Sequence, residues 1–241
     1  MRKAWCLAAV VGALLFVAAL PARAAVFAPG GAFRGTNEDE VFRLLFPGWN
    51  PGAWLTPEGE GLLIADARTW RDATHQERLA VVVEHWKGDM DDRGLAVTQG
   101  VFGCDVAVFG GKSGALTLLA RASNAVACND TTPLQLDVTT YRNPGTTLIG
   151  AKPTNRLRGD AAGLTLFLFD RGTLRPVLKM PGTASAPSRA GAGGVSLTQL
   201  RGKGSKNVFE ERSATGKVLA RWEWTGSEYQ RRAVAGGRSG S

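Results

Sequence analysis

Residues Val106 to Ala122 read VAVFGGKSGALTLLARA, two apolar runs on either side of the polar, glycine-rich turn GGKSG. Short apolar runs around such a turn are typical of a β-hairpin. Two later stretches repeat the pattern, Leu166 to Met180 (LFLFDRGTLRPVLKM) and Asn207 to Trp224 (NVFEERSATGKVLARWEW). The sequence therefore predicts a mainly β protein built from antiparallel hairpins. The three segments resemble one another in pattern, and antiparallel proteins show such a resemblance with or without a true internal repeat.

Ten short strands are predicted where apolar, β-branched runs are separated by Gly, Asn, Asp and Pro. They are expected at 61–66, 78–86, 95–102, 104–109, 115–121, 134–140, 164–169, 174–179, 207–212 and 217–224. Short strands at this spacing favour antiparallel sheets in a sandwich, a barrel or a partial propeller.

One short N-terminal helix is predicted over residues 36–46. Thr36 is the expected N-cap, acidic residues fill the first turn, and Pro47 with Gly48 ends the helix. A second, weaker helix is expected around residues 68–77.

The N-terminus has the layout of a secretory signal peptide. Arg2 and Lys3 precede an apolar run from Ala4 to Leu20, and the small residues Ala22 and Ala24 fit a signal peptidase. Cleavage is expected after Ala24. An uncleaved anchor is the alternative, because the apolar run has about the minimum length for spanning a bilayer. The sequence thus predicts a periplasmic or secreted protein that is not embedded in a membrane after cleavage.

The charge of the chain favours some partners over others. The full sequence has 29 Lys and Arg against 21 Asp and Glu, and the predicted signal peptide removes three basic residues and no acid. The remaining positive excess argues weakly for nucleic acid and better for an anionic envelope polymer, with a solubilising surface charge as the alternative. The expected partners are an envelope protein or an anionic or glycan polymer, and no nucleic acid.

Cleavage would also remove Cys6 and leave an even pair, Cys104 and Cys128. In an oxidising compartment such a pair usually forms a disulfide, and no C-x-x-C spacing indicates redox or zinc chemistry instead. A bridge that closes a loop of about 25 residues stabilises the fold by about 3 kcal/mol. Two buried free thiols are the alternative.

The mature chain divides into two β-rich halves. Residues 25–131 would hold the helix and the disulfide, and residues 132–232 would form a second half that is either separate or continuous with the first. A flexible loop is expected at 181–194 (PGTASAPSRAGAGG), and a disordered tail at 233–241.

The run Gly88 to Gly94, GDMDDRG, contains weak calcium candidates. Asp89 and Asp91 follow the start of a D-x-D-x-D-G loop, in which alternate carboxylates converge on the ion. Arg93 stands at the fifth position and Gly100 at the twelfth, where the motif has acids. An acidic turn without a metal is the alternative.

This segment also carries a family resemblance. GDMDDRGLAV, followed by CDVAVFGGKSGAL, resembles one repeat of the FG-GAP or VCBS type over about residues 80–120. The resemblance implies a propeller blade with calcium in the acidic turn, and Arg93 departs from that pattern. A seven-bladed propeller needs more strands than this chain supplies. The closing segment RWEWTGSEYQ resembles the last hairpin of uncharacterised secreted bacterial proteins, which implies no activity.

Two tryptophans form a candidate binding surface. Trp49 and Trp54 lie in a Pro- and Gly-rich stretch, where flat apolar rings suit stacking on a sugar. Tryptophans that fold back onto the core are the alternative. The two histidines, His75 and His85, are interpreted as solvated or capping residues rather than as catalytic bases.

No motif in the sequence indicates catalysis or a cofactor. The sequence therefore predicts a non-enzymatic binding or interaction protein of the cell envelope. The main alternative is a hydrolase of an envelope or extracellular polymer that uses a pair of Asp or Glu carboxylates, which needs no histidine. A calcium-stabilised structural domain is a third hypothesis.

Overall fold

The structure, a computed structural model, describes residues 28–50, 56, 60–72, 74–90, 96–126, 134–137, 142–143, 146–153, 163–180, 196–200, 208–213 and 215–234. Within them lie a short 3-10 turn (Gly31–Phe33), one helix, α1 (Glu38–Leu45), and thirteen strands. The strands are β1 (Glu60–Arg71), β2 (Glu77–Met90), β3 (Ala96–Lys112), β4 (Ala115–Ala122), β5 (Leu134–Asp137), β6 (Arg142–Asn143), β7 (Thr146–Pro153), β8 (Thr165–Asp170), β9 (Thr173–Lys179), β10 (Ser196–Gln199), β11 (Val208–Arg212), β12 (Val218–Trp224) and β13 (Tyr229–Ala233).

Helix α1 begins after Asn37, whose side-chain oxygen accepts a hydrogen bond from the Glu40 amide at 3.0 Å. The prediction of Thr36 as the N-cap is wrong by one residue. Asn is at least as good a cap as Thr, and Thr36, one position before Asn37, is buried. The Glu40 carboxylate also accepts hydrogen bonds from the amides of Gly114 at 3.2 Å and Leu116 at 3.0 Å. These bonds tie the helix to the β3–β4 turn.

Strands β1 to β4 form sheet 1, an antiparallel sheet in chain order. Every residue of β2 from Leu79 to Val83 is buried, so both faces of this sheet are covered. Alternate side chains of a strand point to opposite faces, and one face packs against α1. The buried residues of this outer core are Phe33, Val41, Phe42, Leu45, Phe46, Leu62, Leu79, Val81, Val83, Ala107 and Phe109.

Strands β5, β7, β8 and β9 form sheet 2, with β6 paired to β7. Consecutive residues in β7 and β8 are apolar, although they point to opposite faces of the sheet. Ile149 and Phe167 belong to the core shared with sheet 1. Leu148 and Leu166 belong to the core on the other face. Sheet 2 is therefore a middle layer that is buried on both sides.

Strands β10 to β13 form sheet 3, a four-stranded antiparallel meander. Phe209, Trp222 and Tyr229 of its inner face pack against sheet 2, and the rings of Phe209 and Tyr229 meet edge to face with their centroids 4.9 Å apart. Trp224 packs on the same core, so Trp222 and Trp224 share one face of β12. The order of layers is α1, sheet 1, sheet 2 and sheet 3, which is also their order along the chain.

The mainly β fold with one N-terminal helix is confirmed, and so are the three predicted hairpins, β3–β4, β8–β9 and β11–β12. Each described sheet has a linear strand order, so the architecture is a stack of sheets of the sandwich type. The core between sheets 1 and 2 contains residues from both 25–131 and 132–232. No helix in the described ranges is long and apolar enough to cross a membrane.

The helix predicted over 68–77 is wrong. Strand β1 continues to Arg71, and Trp70 pairs with Arg78 across a turn. The Asp72 side chain accepts hydrogen bonds from the amides of Thr74 and Gln76 in this turn. Such local bonds favour a turn over a helix, because they offer the backbone amides an alternative partner.

Two strands predicted at 95–102 and 104–109 form one continuous strand, β3. A side chain at Gly103 would collide with the side chain of Asn124. Glycine is therefore placed here to allow two segments to approach closely, and it does not end the strand.

The sequence missed four strands, β6, β7, β10 and β13. Strand β7 contains Gly150 and Pro153, and β13 is mostly polar, so neither has the apolar alternation that signals a strand. Ala233, predicted to begin the tail, ends β13. Residues 235–241 and the predicted loop 181–194 lie outside the described residues.

We expect Phe167→Ala to lower the free energy of unfolding by about 3 to 5 kcal/mol, because Phe167 is fully buried between two sheets and truncation leaves a cavity. Leu63→Ala is the control, since Leu63 is 44% exposed and should lose less than about 1 kcal/mol. Urea unfolding followed by tryptophan fluorescence measures both changes. Equal losses in the two variants would contradict a core shared by sheets 1 and 2.

Candidate functional site

A cleft of about 350 Å³ opens between sheets 1 and 2 at one end of the stack. The end of β1, the start of β2 and part of β4 form one wall, and β7 with the β8–β9 turn forms the other. The residues that line the cleft are Trp70, Asp72, Thr74, Arg78, Leu119, Thr147, Phe169, Asp170, Arg171 and Gly172.

The cleft has an apolar floor. Trp70 and Phe169 meet edge to face with their ring centroids 6.5 Å apart, and Leu119 packs against the same core. Trp70 comes from sheet 1 and Phe169 from sheet 2, so the floor exists only where the two sheets are stacked. Rings that remain reachable at the base of a cleft offer apolar contact area to a ligand.

One wall of the cleft is rigid and charged. Asp72 accepts hydrogen bonds from the Thr74 amide at 2.8 Å, the Thr74 hydroxyl at 2.6 Å and the Gln76 amide at 3.0 Å, and it lies 2.7 Å from an Arg78 guanidinium nitrogen. Partial burial raises the pKa of Asp72, but these hydrogen bonds and the charge of Arg78 outweigh it, so the pKa lies below its ordinary value. Asp72 therefore stays ionised and fully engaged near neutral pH.

The opposite wall presents an arginine in an unusual backbone conformation. Arg171 has a φ of +45° and Gly172 a φ of +80°, as the central residues of a two-residue hairpin turn of the primed type require. Positive φ is uncommon for arginine. The Arg171 side chain is 94% exposed, and the turn holds it at the mouth of the cleft beside Asp170. A residue that keeps a strained conformation at a cleft is a candidate for function.

The rim therefore combines donors and acceptors above an aromatic floor. Arg78 and Arg171 supply N–H donors, Asp170 supplies carboxylate acceptors, and the hydroxyl of Thr147 can act in either sense. These groups can together bind a small polar part of a ligand.

A second polar cluster lies buried on the helix side of sheet 1. His85 Nδ1 is 3.3 Å from a Glu60 carboxylate oxygen, and His85 Nε2 is 3.3 Å from a carboxylate oxygen of Asp105. The imidazole packs edge to face on Phe46 with ring centroids 4.9 Å apart. The interpretation of His85 as solvated or capping is therefore wrong, because alternation along β2 places it under α1, on the face opposite to Glu84.

Arg121 completes this cluster and joins it to the helix. Its Nε and one terminal nitrogen lie 2.5 Å from the same Asp105 oxygen, and another terminal nitrogen donates to the carbonyl of Leu45 at the end of α1. The guanidinium also lies 4.4 Å from the ring centre of Phe46. A cation at a helix C-terminus is stabilising, so Arg121 anchors α1 to sheet 1.

Asp105 is fully buried and completely engaged. It also accepts a hydrogen bond from the Asn124 amide at 2.8 Å. Burial raises its pKa, but the hydrogen bonds from His85 and Asn124 and the charges of His85 and Arg121 outweigh burial, so the pKa lies below its ordinary value. Phe46 packs on the His85 ring and under the Arg121 guanidinium, so this cluster joins α1 to sheet 1.

The predicted disulfide lies partly within the described residues. Cys104 is fully buried in β3. Its carbonyl accepts a hydrogen bond from the Ala125 amide at 3.1 Å, so Ala125, three positions before Cys128 in the sequence, lies beside Cys104. Cys128 itself is outside the described residues, and its pairing with Cys104 stays a prediction.

The structure places Trp49 on the core. Its ring meets Phe42 edge to face at 5.1 Å, and it packs against the core between α1 and sheet 1. This is the core-capping role that the sequence left open as the alternative to a stacking platform. Trp54, like Ala22 and Ala24 of the predicted cleavage site, lies outside the described residues.

The candidate calcium ligands are not brought into a described site. Asp89 lies near the end of β2, Asp91 follows it outside the described residues, and β3 begins at Ala96. In the part of the chain that the structure describes, no group of three or more His, Cys, Asp or Glu side chains could hold a metal ion. His75 is exposed in the β1–β2 turn, which confirms its interpretation as solvated.

No sequence motif marks Trp70, Arg78 or Arg171, which are among the residues that line the cleft. The hairpin pattern predicts the turn that carries Arg171, but its position depends on how sheets 1 and 2 stack. The local signal is the Arg-Gly pair at the centre of a two-residue turn, where Asn-Gly is usual.

Comparisons of the chain with protein-family models, with curated proteins and with solved structures find no match.

We expect the stability of the protein to fall as the pH is lowered below about 4, in part through Asp105. Because its pKa is lower in the folded than in the unfolded protein, the unfolded state takes up the proton first. Asp105→Asn should flatten this dependence and cost about 3 kcal/mol or more at neutral pH, since it removes one partner of a buried pair. Urea unfolding between pH 3 and 7 tests this, with the exposed Asp170→Asn as control. An unchanged pH dependence in Asp105→Asn would contradict the role of Asp105.

We expect peptide mapping of the exported protein without reduction to recover Cys104 and Cys128 in one linked pair. Replacing both by alanine should lower the free energy of unfolding by about 3 kcal/mol. Recovery of Cys128 as a free thiol would contradict the pairing.

Proposed function

We propose that the mature protein is a non-enzymatic binding protein of the cell envelope, periplasmic or secreted, that holds a sugar segment of an envelope polymer in the cleft. The observation that supports this most is the cleft itself, with an aromatic floor beneath fixed hydrogen-bonding groups of both charges. The signal-peptide layout of residues 1–24 supports the location.

A sugar suits this site better than a charged or wholly apolar ligand. Sugar hydroxyls both donate and accept hydrogen bonds, and the apolar faces of the rings stack on aromatic side chains. Among the lining residues the two acids, Asp72 and Asp170, balance the two arginines, Arg78 and Arg171. The cleft therefore has no net charge with which to select an ion.

The same residues argue against the alternative, hydrolysis by a carboxylate pair. The carboxylates among the described lining residues are Asp72 and Asp170. Asp72 already accepts three hydrogen bonds and pairs with Arg78, and its pKa is lowered. A glycosidase acid needs a raised pKa so that it can hold a proton for the leaving group. Asp72 is therefore a rigid part of the wall and is unsuited to acid catalysis.

Arg171→Gln tests the cleft, because it removes a charged donor at the mouth from a side chain that is almost fully exposed. We expect co-sedimentation of the purified protein with peptidoglycan sacculi to weaken about tenfold, the usual worth of one charge-assisted hydrogen bond. The assay is run at about 0.5 M salt, which screens long-range attraction between exposed charges.

The matched control is Arg43→Gln, the same change at an exposed position of α1, remote from the cleft along the layer order. It should bind like the unchanged protein. Equal binding by both variants would overturn the cleft as the site. Release of soluble sugar fragments during the assay, abolished by Asp170→Asn, would favour the hydrolase instead.

A further inference from the structure

The outer face of sheet 3 is polar and uncovered. Sheet 3 packs its other face on sheet 2, and most of the described side chains on its outside are exposed or partly exposed. The exposed residues of this outer face are Thr198, Arg221, Glu223, Gln230 and Arg232. We call this surface the outer face of sheet 3.

Strand register places four residues of this face in one row. Thr198 pairs with Glu210, Glu210 with Arg221, and Arg221 with Arg232, across β10, β11, β12 and β13. Neighbouring strands are about 4.8 Å apart, so the row is about 14 Å long. Such a row offers a flat, extended surface rather than a pocket for a compact ion.

One buried carboxylate in this row holds two guanidinium groups. Glu210 accepts hydrogen bonds from Arg221 Nε at 3.3 Å and Nη2 at 3.2 Å, and a further one from Arg212. The Arg221 and Arg212 side chains remain 53% and 40% exposed. Glu210 thus orients both guanidinium groups, and Arg212 also donates a hydrogen bond to the Gly216 carbonyl at 3.2 Å.

Arg221 and Arg232 lie directly opposite each other on neighbouring strands. Like charges in such a pair destabilise a sheet. Glu210 is the ion-pair partner of Arg221, and Arg232 forms no ion pair with any residue that the structure describes. Glu223 lies on the same face, one row away, opposite Gln230. The pair therefore retains unneutralised positive charge at a cost in stability.

Basic residues are in excess in the C-terminal part of the sequence and on the described outer face of sheet 3. Residues 196–241 contain nine Lys and Arg and four Asp and Glu, whereas residues 25–195 contain 17 of each. Four of these nine basic residues, Arg201, Lys203, Lys206 and Arg238, lie outside the described residues. On the described outer face, Arg212, Arg221 and Arg232 exceed Glu210 and Glu223 by one positive charge. Concentrated positive charge attracts anionic partners.

We propose that the outer face of sheet 3 is a second binding surface, which takes an acidic polysaccharide through its repeating carboxylates. Arginine pairs bidentately with carboxylates, and a row of donors across four strands suits an extended chain with charges at intervals. The surface is distinct from the cleft, which lies between sheets 1 and 2 and is balanced in charge. The two sites can therefore be tested separately.

Polygalacturonate is the probe for this surface, with neutral dextran as the comparison, in low salt. We expect the protein to bind polygalacturonate, and Arg232→Gln to weaken that binding about fivefold, as the loss of one exposed ion pair allows. The double variant Arg221→Gln/Arg232→Gln should weaken it further. Because Arg232→Gln removes a like-charge contact, its melting temperature should not fall, and this separates loss of binding from loss of folding.

The matched control is Arg34→Gln/Arg43→Gln, which removes the same charge from exposed positions beside and on α1. It should bind as the unchanged protein does. Equal weakening by the control, or no binding of polygalacturonate, would overturn the proposal. Equal binding to anionic lipid vesicles with the same dependence on Arg232 would assign the surface to a membrane and overturn the polysaccharide. Arg171→Gln should leave this binding unchanged, so that failure of the cleft and failure of this surface are distinguishable.

Discussion

The fold depends on the burial of both faces of sheet 2. In β7 and β8 consecutive apolar residues, Leu148 with Ile149 and Leu166 with Phe167, point in opposite directions and are all fully buried. Burying a side chain of this size contributes about 1.5 to 3 kcal/mol. A sheet that is apolar on both sides needs a layer above and a layer below, and sheets 1 and 3 supply them. The cleft is a consequence of this stacking, because it opens where sheets 1 and 2 meet at one end.

The buried carboxylates Asp105 and Glu211 each lie in contact with hydrogen-bond donors and with an oppositely charged side chain. Asp105 is held by Arg121, His85 and the Asn124 amide beneath α1. On the inner face of sheet 3, Glu211 accepts hydrogen bonds from the Trp222 indole at 3.0 Å and from Arg231 at 2.8 and 2.9 Å. These hydrogen bonds, most of all those from Arg231, hold the pKa of Glu211 below its ordinary value. Each cluster joins groups from different strands or layers, so it specifies how they align as well as compensating for desolvation.

The sequence predicts the class of the fold but little of the site, for physical reasons. Hairpins are local, so alternating residues around GGKSG and DRG were enough to locate β3–β4 and β8–β9. Strands with weak alternation, such as β13, take their structure from pairing with a neighbour that the local sequence does not identify. The cleft joins Trp70 to Phe169, which are far apart in the chain, and only the packing of two sheets brings them together. The prediction for His85 is wrong for the same reason, since its two carboxylate neighbours, Glu60 and Asp105, come from other strands.

The polar outside of sheet 3 also affects how the chain completes its folding. Since the layers are stacked in chain order, a chain that emerges from its N-terminus can add each sheet to the one before it. Until the next sheet arrives, however, each partial stack presents an apolar face that can associate with other chains. Sheet 3 ends this series, because its described outer face presents exposed charged and polar residues rather than a buried apolar layer. It plays the part of the capping repeat in a solenoid protein, which terminates the stack and keeps it from continuing into another molecule.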